Sequence, residues 1–218
     1  MRCPDFEAVA LQSLALRDAG HPERALQLAR LGGMSEAETL PVGVRDAALL
    51  RLWCRWFGAT VPCLDTCPAC DRDVSFDLPV ARITGREALA PAGGWRCLTT
   101  QDLVSVARLA PGDARRALAT AVTAVNDPDE TLEAEVERWL ERHDPLARID
   151  IELACAFCSE QWSRPFDIVE HLWSALRRAG QTLLRDIHVL ASAYHWSEAD
   201  ILALPPARRR AYIAMVSE

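Results

Sequence analysis

The sequence predicts a mainly helical protein with a small β component, an α+β fold. Apolar residues recur at helical spacing over three long stretches, whereas two short stretches between them are rich in β-branched residues and proline. Half of the 218 residues are hydrophobic, so a packed core is expected. The expected segments, which together form one compact unit, are a helical N-terminal arm (1–58), a first β segment (59–82), a helical insertion (95–146), a second β segment (147–168) and a helical C-terminal arm (169–218).

Three helices are expected in the N-terminal arm. The first is amphipathic from Asp5 to Ala19 and ends at Gly20. The second, "PERALQLARL", begins with a proline, which suits a first helical turn. Ser35 and Glu38 have the spacing of a capping box. The third and strongest helix, "VRDAALLRLWCRWFG", has apolar residues at helical spacing and ends at a glycine.

The rest of the chain repeats this alternation of β and helical segments. We expect short strands and turns in "FDLPVARI", and strands again in "ARIDIELACAFCSEQWSRPFDI". In the insertion, Thr99 and Asp102 can form a capping box, Pro111 breaks the pattern, and "DETLEAEVERWLERHD" predicts an acidic helix. The C-terminal arm predicts one long helix, then two short helices after the breaks at Trp196–Ser197 and Pro205–Pro206.

Charge and hydropathy exclude several classes of function. The formal charge is −7, from 24 basic and 31 acidic residues, which argues against nonspecific nucleic-acid binding because that binding depends on cations neutralising phosphates. No stretch approaches about 18 consecutive apolar residues, so no membrane span is predicted. The N-terminus carries acids where a signal peptide has a basic start. We therefore expect a cytoplasmic protein.

Two C-x-x-C motifs, one in each β segment, are the main chemical feature of the sequence. Aligning "CPACDRDVSFDLPV" with "CAFCSEQWSRPFDI" matches both cysteines and the apolar positions that follow them, which indicates a weak internal duplication. In a reducing compartment, paired cysteines bind metal more often than they form disulfides. The four candidate ligands are Cys67, Cys70, Cys155 and Cys158.

Zinc is the predicted ion. One C-x-x-C turn supplies two thiolates, and a structural zinc site needs four, so the two motifs are expected to join into one closed four-cysteine site, a small β zinc ribbon. Such a site couples metal binding to folding with an apparent energy on the order of 10 kcal/mol. The 84 residues between Cys70 and Cys155 would then form a helical insertion in the ribbon. Asp71 and Ser159 stand where many such turns have glycine.

Other cysteines and one histidine lie elsewhere in the sequence and are further candidate ligands. Cys63 lies four residues before the first motif and could replace one of its ligands. His171, in "IVEHLW", is close in sequence to the second motif but is expected to pack or face solvent. Three further cysteines are expected to be lone thiols that are buried or partly buried: Cys3, Cys54 and Cys97.

The same motifs fit the patterns of redox and deaminase active sites less well than they fit a structural zinc site. A redox C-P-x-C belongs at a helix N-terminus, where the dipole lowers the thiol pKa, but here "DRDVSFDLP" follows. A zinc deaminase needs H-x-E before P-C-x-x-C; His21 and Glu23 supply the first part, but Thr66 stands in place of the proline. Nucleotide-binding and hydrolase motifs are absent from the sequence. We therefore expect no enzyme.

The C-terminal segment has the outline of a helix-turn-helix, with Ser197 and Asp200 capping its middle helix. That helix, "SEADILAL", is acidic and apolar, whereas a DNA-reading helix would be polar and basic. Tyr194, Trp196, Ile201 and Leu204 are instead expected to fold the tail back onto the long helix. Arg208, Arg209 and Arg210 are expected to form a solvated face, or otherwise a docking patch for an acidic partner.

The order of these motifs resembles a family of small proteins encoded with contractile phage tails and related injection systems. The resemblance rests on "RALQLARL", "LPVGVRDAALLRLWCRWFG", "TTQDL", the two C-x-x-C motifs and, most specifically, "AYHWSEADILALPPARRRAYI". It implies a non-enzymatic role in assembling or completing the tail baseplate, with structural Zn²⁺ held by the four cysteines. It also implies protein subunits of the tail or baseplate as partners, and neither a small-molecule substrate nor a membrane.

Two other functions remain open at this point. One is a zinc-dependent transcriptional regulator that would place the C-terminal helices on DNA. The other is an enzyme that would use one of the thiol pairs.

Overall fold

The computed structural model describes residues 5–16, 20–85, 90–91 and 93–216. The protein is mainly helical (58%) and has two separate two-stranded antiparallel sheets, which confirms the predicted α+β class. Its contacts divide it into two units, where one compact unit was expected. Unit 1 comprises the described residues from 20 to 172, and unit 2 comprises residues 5–16 and 173–216. None of the described helices is long and apolar enough to cross a membrane.

The elements follow the predicted order along the chain. They are α1 (Phe6–Leu14), α2 (His21–Leu31), α3 (Val42–Phe57), β1 (Thr60–Thr66), β2 (Asp73–Pro79), α4 (Val80–Thr84), α5 (Thr100–Val106), α6 (Pro111–Thr123), α7 (Glu130–His143), β3 (Ile149–Ala154), β4 (Gln161–Phe166), α8 (Ile168–Tyr194), α9 (Glu198–Ala203) and α10 (Pro206–Val216). The boundary between the two units lies within α8.

One of the two predicted capping boxes in unit 1 forms. At the start of α5, the Thr99 backbone N–H donates to Asp102 at 2.8 Å, and the Asp102 N–H donates to the Thr99 hydroxyl at 3.3 Å. The box expected at Ser35 is wrong, because the third helix begins only at Val42, after Pro41. Its intended partner, Glu38, accepts from Arg30 of α2 instead.

Two other expected boundaries change. The first helix ends at Leu14 and not at Ala19, and residues 17–19 lie outside the described part of the chain. The stretch "FDLPVARI" is only partly extended, since β2 ends at Pro79 and the next five residues form the short helix α4. Proline has no N–H with which to continue a ladder, and the side chains of Val80 and Ile83 become buried through this turn.

Helix α3 connects the core of unit 1 to the first sheet. Its side chains Leu49, Leu50 and Trp53 are at most 3% exposed, so this helix lies at the centre of the packing. The indole Nε1 of Trp53 donates to the carbonyl of Thr60 at 2.8 Å, at the first residue of β1. The first hairpin therefore starts from a fixed point on a buried helix.

Unit 2 is a separate small helical core. The buried side chains Leu183, Ile187 and Leu190 of α8 pack with Ile201 of α9. Three aromatic rings complete this core, with centroids 4.7 to 5.6 Å apart: Tyr194, Trp196 and Tyr212. The C-terminal segment therefore folds back on the long helix, as its apolar residues predicted.

A glycine in α8 permits close packing within unit 2. A Cβ built on Gly180 would lie inside the contact distance of the Ala10 carbonyl oxygen, 3.0 Å from its carbonyl carbon and 3.1 Å from Leu14 Cγ. Because two of these atoms belong to backbone, they cannot move aside as a side-chain tip can.

We predict that Gly180→Ala lowers the free energy of unfolding by about 1–3 kcal/mol, because overpacking outweighs the gain of about 1 kcal/mol in helix propensity. Urea denaturation with circular dichroism would measure it. Gly112→Ala in α6 is the matched control, since nothing lies within 4 Å of its added methyl, and it should be neutral or stabilising. A stabilised Gly180→Ala protein would contradict the close packing of α1 on α8.

Candidate metal centre

The two C-x-x-C motifs lie at the tips of two hairpins that have the same register. In the first hairpin Thr66 pairs with Asp73, and in the second Ala154 pairs with Gln161, so each pair encloses its motif at the corresponding position. The far ends also correspond, with Val61 opposite Leu78 and Ile149 opposite Phe166. The internal duplication seen in the sequence is therefore also a duplication of strand pairing.

The turn that carries each motif is also the same in both hairpins. The N–H of Asp71 donates to the carbonyl of Cys67 at 3.0 Å, and the N–H of Ser159 donates to that of Cys155 at the same distance. Both residues are left-handed, with φ of 55° and 62°. This is the conformation for which glycine is usual, so Asp71 and Ser159 form the expected turn without it.

The turns bring four sulfur atoms together. The Sγ atoms of Cys67 and Cys158 are 3.6 Å apart, and those of Cys70 and Cys155 are 3.7 Å apart. All four lie within 4.8 Å of one another, and the cysteines are free, so no disulfide accounts for the cluster. Both close contacts join one hairpin to the other, and exchanging the hairpins converts one contact into the other.

Backbone N–H groups favour thiolate at this cluster. The N–H of Phe157 points at Cys155 Sγ at 3.4 Å, and with that of Cys158 it lowers the pKa of Cys155 to about 6. The Glu160 N–H similarly favours the Cys158 thiolate, but burial and hydrogen bonds with Cys70 and Cys67 raise the pKa of Cys158 to about 12. Backbone N–H groups therefore favour a thiolate at Cys155, whereas the neighbouring sulfurs oppose one at Cys158.

Alternate side chains of β1 contact the second hairpin and the helix that follows it, α8. Below the sulfurs, the carboxylate of Asp65 accepts from Trp162 Nε1 at 2.8 Å and from Arg164 Nε at 2.8 Å. The Arg164 guanidinium holds the pKa of Asp65 down at about 2, so this carboxyl is ionised at any physiological pH. One step further down, Cys63 Sγ lies 3.6 Å from His171 Nε2. Contacts at positions 63, 65 and 67 follow the two-residue period of a strand.

The remaining cysteines lie elsewhere. Cys63 is outside the four-sulfur group and contacts His171, so the structure does not bring it together with the other four. Cys97 is buried, as expected, and lies 3.7 Å from the carbonyl of His143. The prediction of a buried or partly buried thiol is wrong for Cys54, which is exposed on α3. Cys3 lies outside the described residues.

The alternative readings of the cysteine motifs can be judged from the same geometry. The first motif is followed directly by strand β2 and not by a helix, so it lacks the helix dipole of a redox C-x-x-C. His21 is not among the residues that group with the cysteines, and it bonds Asp167 at 2.5 Å instead. The His-x-Glu that suggested a deaminase is therefore the start of α2.

The three arginines of the C-terminal arm have different surroundings. Arg208 and Arg210 are exposed, but Arg209 is only 3% exposed and its guanidinium is paired with Glu7 of α1. The expectation of a solvated face is wrong for Arg209, which instead ties α10 to α1 within unit 2. Binding of a partner by Arg208 and Arg210 stays a prediction.

One cluster of ionisable residues was not foreseen. His21, Arg45, Asp46 and Asp167 line a single cavity although they come from three distant parts of the sequence. The sequence contained one weak indication of this cluster, the adjacent Arg45 and Asp46 within the strongly apolar helix α3. Charged side chains on a helix face that becomes buried must be paired.

Comparison with protein-family models, curated proteins and solved structures finds no match for this chain.

We predict that Ser159→Gly stabilises the protein by about 0.5–1 kcal/mol, because glycine adopts a positive φ without the steric cost of a Cβ. Denaturant unfolding of the protein with metal added would measure the gain. Ser163→Gly makes the same replacement in the extended backbone of β4 and should destabilise. Equal effects at the two positions would show that the turn does not require a left-handed residue.

Proposed function

We propose that the chain is a structural zinc-binding protein that acts, without catalysis, in assembling or completing the baseplate of a contractile injection apparatus. The observation that carries the metal part is the convergence of four cysteine sulfurs from two remote hairpins. Cys67, Cys70, Cys155 and Cys158 would hold the ion, and it would supply the charge that lets all four remain thiolate.

The spacing of the sulfurs supports a tetrahedral ion. Four sulfurs at about 2.3 Å from one zinc lie about 3.8 Å apart. The two close contacts between the hairpins are 3.6 and 3.7 Å. A soft, all-thiolate ligand set suits zinc better than magnesium or calcium, which take oxygen ligands. Since four protein ligands leave no open position for a substrate, the proposed role of the ion is structural.

The assembly role is supported by the motif order that resembles the contractile-tail family, and by side chains suited to contact a partner. Leu64, on the outer face of the first hairpin, is 70% exposed, and Phe157, at the tip of the second, is 61% exposed. Exposed apolar side chains on a rigid scaffold are typical of surfaces that bind other proteins. The regulator alternative loses support because Arg209 is buried and α9 is acidic.

Metal analysis tests the zinc centre. We expect about one zinc per chain by inductively coupled plasma mass spectrometry, and a cobalt-substituted protein with the intense absorption of tetrahedral thiolate ligation. Cys155→Ser should lose most of the metal and most of the cooperative unfolding of unit 1, because binding contributes on the order of 10 kcal/mol. Cys54→Ser, at an exposed thiol outside the cluster, is the control and should retain both. A metal-free, stably folded wild-type protein would refute the centre.

The assembly role needs a separate experiment. The tagged chain, purified from cells that produce contractile particles, should co-purify with tail or baseplate subunits identified by mass spectrometry. Leu64→Asp combined with Phe157→Asp should reduce this recovery at least several-fold while zinc content stays at one per chain. Arg138→Asp combined with Arg142→Asp, on α7, serves as a charge-altering surface control. Zinc-loaded protein that recovers no tail subunit would leave the metal centre intact and refute the assembly role.

A further inference from the structure

Unit 1 contains a cluster of four ionisable side chains around a cavity of about 210 Å³. His21 is the first residue of α2, Arg45 and Asp46 lie in α3, and Asp167 directly precedes α8. Arg45 is 2% exposed and Asp46 is 8% exposed, so two of the charges are almost completely removed from water. The remaining walls are mostly apolar, including Val42, Leu103, Leu146, Ile149, Phe166 and Ile168.

Hydrogen bonds arrange these groups as two pairs within the one cavity. Arg45 Nε donates to Asp46 Oδ1 at 2.7 Å, and Arg45 Nη1 donates to the hydroxyl of Thr100 at 2.8 Å. His21 Nε2 lies 2.5 Å from Asp167 Oδ2. The other oxygen of Asp167 accepts from the backbone N–H of Val169 at 2.9 Å, so Asp167 caps α8 while it holds His21.

The cluster is one positive charge short when His21 is neutral. Two carboxylates then face a single guanidinium, and Asp46, which is 8% exposed, lies where an uncompensated charge is costly. The side chains of His21 and Asp167 are 45% and 42% exposed, so water screens their part of the imbalance. One proton on the His21–Asp167 pair or on Asp46 brings the net charge to zero. The other charged groups at this place are already paired: Arg148 with Asp150 at 3.1 Å, and Arg24 with Glu170 at 2.9 Å.

The neighbouring carboxyl of Asp144 also interacts electrostatically with Arg45, but it is hydrogen bonded outside the cluster. Its Oδ2 accepts from the N–H of Gly43 at 3.1 Å, and burial raises its pKa. It adds no positive charge to the cavity, so it does not relieve the imbalance.

We propose that this cluster is a proton-dependent latch, which binds one extra proton and thereby fixes α2 and α3 to the residue that caps α8. While the proton is bound, His21 is an imidazolium held by Asp167, and the four charges balance. When the proton leaves as the pH rises from 6 to 8, the cavity keeps a net negative charge and the latch weakens. The stability of unit 1 should therefore decrease over that range.

The pKa shifts of His21 and Asp46 have the direction that this decrease in stability requires. The hydrogen bond to Asp167 raises the pKa of His21 above its usual 6.5, and burial raises the pKa of Asp46 to about 6. A group whose pKa is higher in the folded state stabilises the fold below its unfolded pKa and loses that effect as the pH rises through the folded value. The lowered pKa of Asp167 acts only in more acidic solution, below its unfolded value of 3.8.

The test is the pH dependence of unfolding in the full chain with zinc present in excess. Urea denaturation between pH 5.5 and 8.5 should show the unfolding equilibrium constant of wild type rising about two- to fivefold from pH 6 to pH 8, because solvent screens the half-exposed His21 side chain. His21→Gln should remove most of this slope, because glutamine can still hydrogen bond Asp167 but cannot gain the proton. Asp127→Asn, which alters only an exposed ion pair with Arg116 and does not touch the cavity, should keep the wild-type slope and so corrects for any titration of the metal centre.

A second measurement covers the case in which the variant folds poorly. The His21 ring in the wild-type protein, followed by NMR, should titrate with a midpoint above 6.5. A midpoint at or below 6.5 would overturn the latch, as would a His21→Gln protein that keeps the full wild-type slope. Neither result bears on whether the four cysteines hold zinc, so the two proposals fail independently.

Discussion

Unit 1 depends on the meeting of two hairpins that are separated by residues 80–148 of the chain. Neither hairpin has a large core of its own, because each is a two-stranded sheet with only a few buried side chains. Their contact is made by the sulfurs at the two tips and by an ionised carboxylate of β1 below them, and a thiol–imidazole contact further down joins β1 to α8. A shared ion at the tip would add the one strong interaction that this small interface otherwise lacks.

The base of the second hairpin is held by a different kind of interaction. Directly after β4, Asp167 uses one carboxylate oxygen to cap α8 and the other to bind His21. The tip of the second hairpin therefore carries two of the four clustered thiols, and its base adjoins a His–Asp pair beside the buried Arg45 and Asp46. Both are long-range contacts that close large loops, so each contributes order to residues that local interactions alone would leave weakly fixed.

The duplicated hairpins also show how a turn can keep its geometry after losing its preferred residue. Asp71 and Ser159 take the left-handed conformation without being glycine, and the hydrogen bonds of both turns agree to within 0.1 Å. The strand pairing and the sulfur cluster constrain the turn from both sides, so the surrounding structure offsets a local cost of about 1 kcal/mol.

Much of the secondary structure followed from local rules. Helix spacing, the capping box at Thr99 and the prolines in the first turns of α2 and α6 marked elements correctly because each acts within one or two turns of chain. The local rules failed at Ser35, where Pro41 delays the helix, and at Val80, where burial of two apolar side chains favours a helical turn over a strand. The identity of the four clustered cysteines was also readable, since repeated C-x-x-C spacing carries a definite geometric meaning.

The sequence by itself determined most of the helical segments, where the two hairpins lie and which thiols belong together, because these properties depend on short spacings. Only the tertiary structure decided that Arg209 is buried against Glu7, that Cys63 lies beside His171, and that His21 meets Asp167. These pairs join residues 108 to 202 positions apart. Their contacts depend on how the helices and hairpins pack, and a spacing rule that covers a few residues contains no information about that packing.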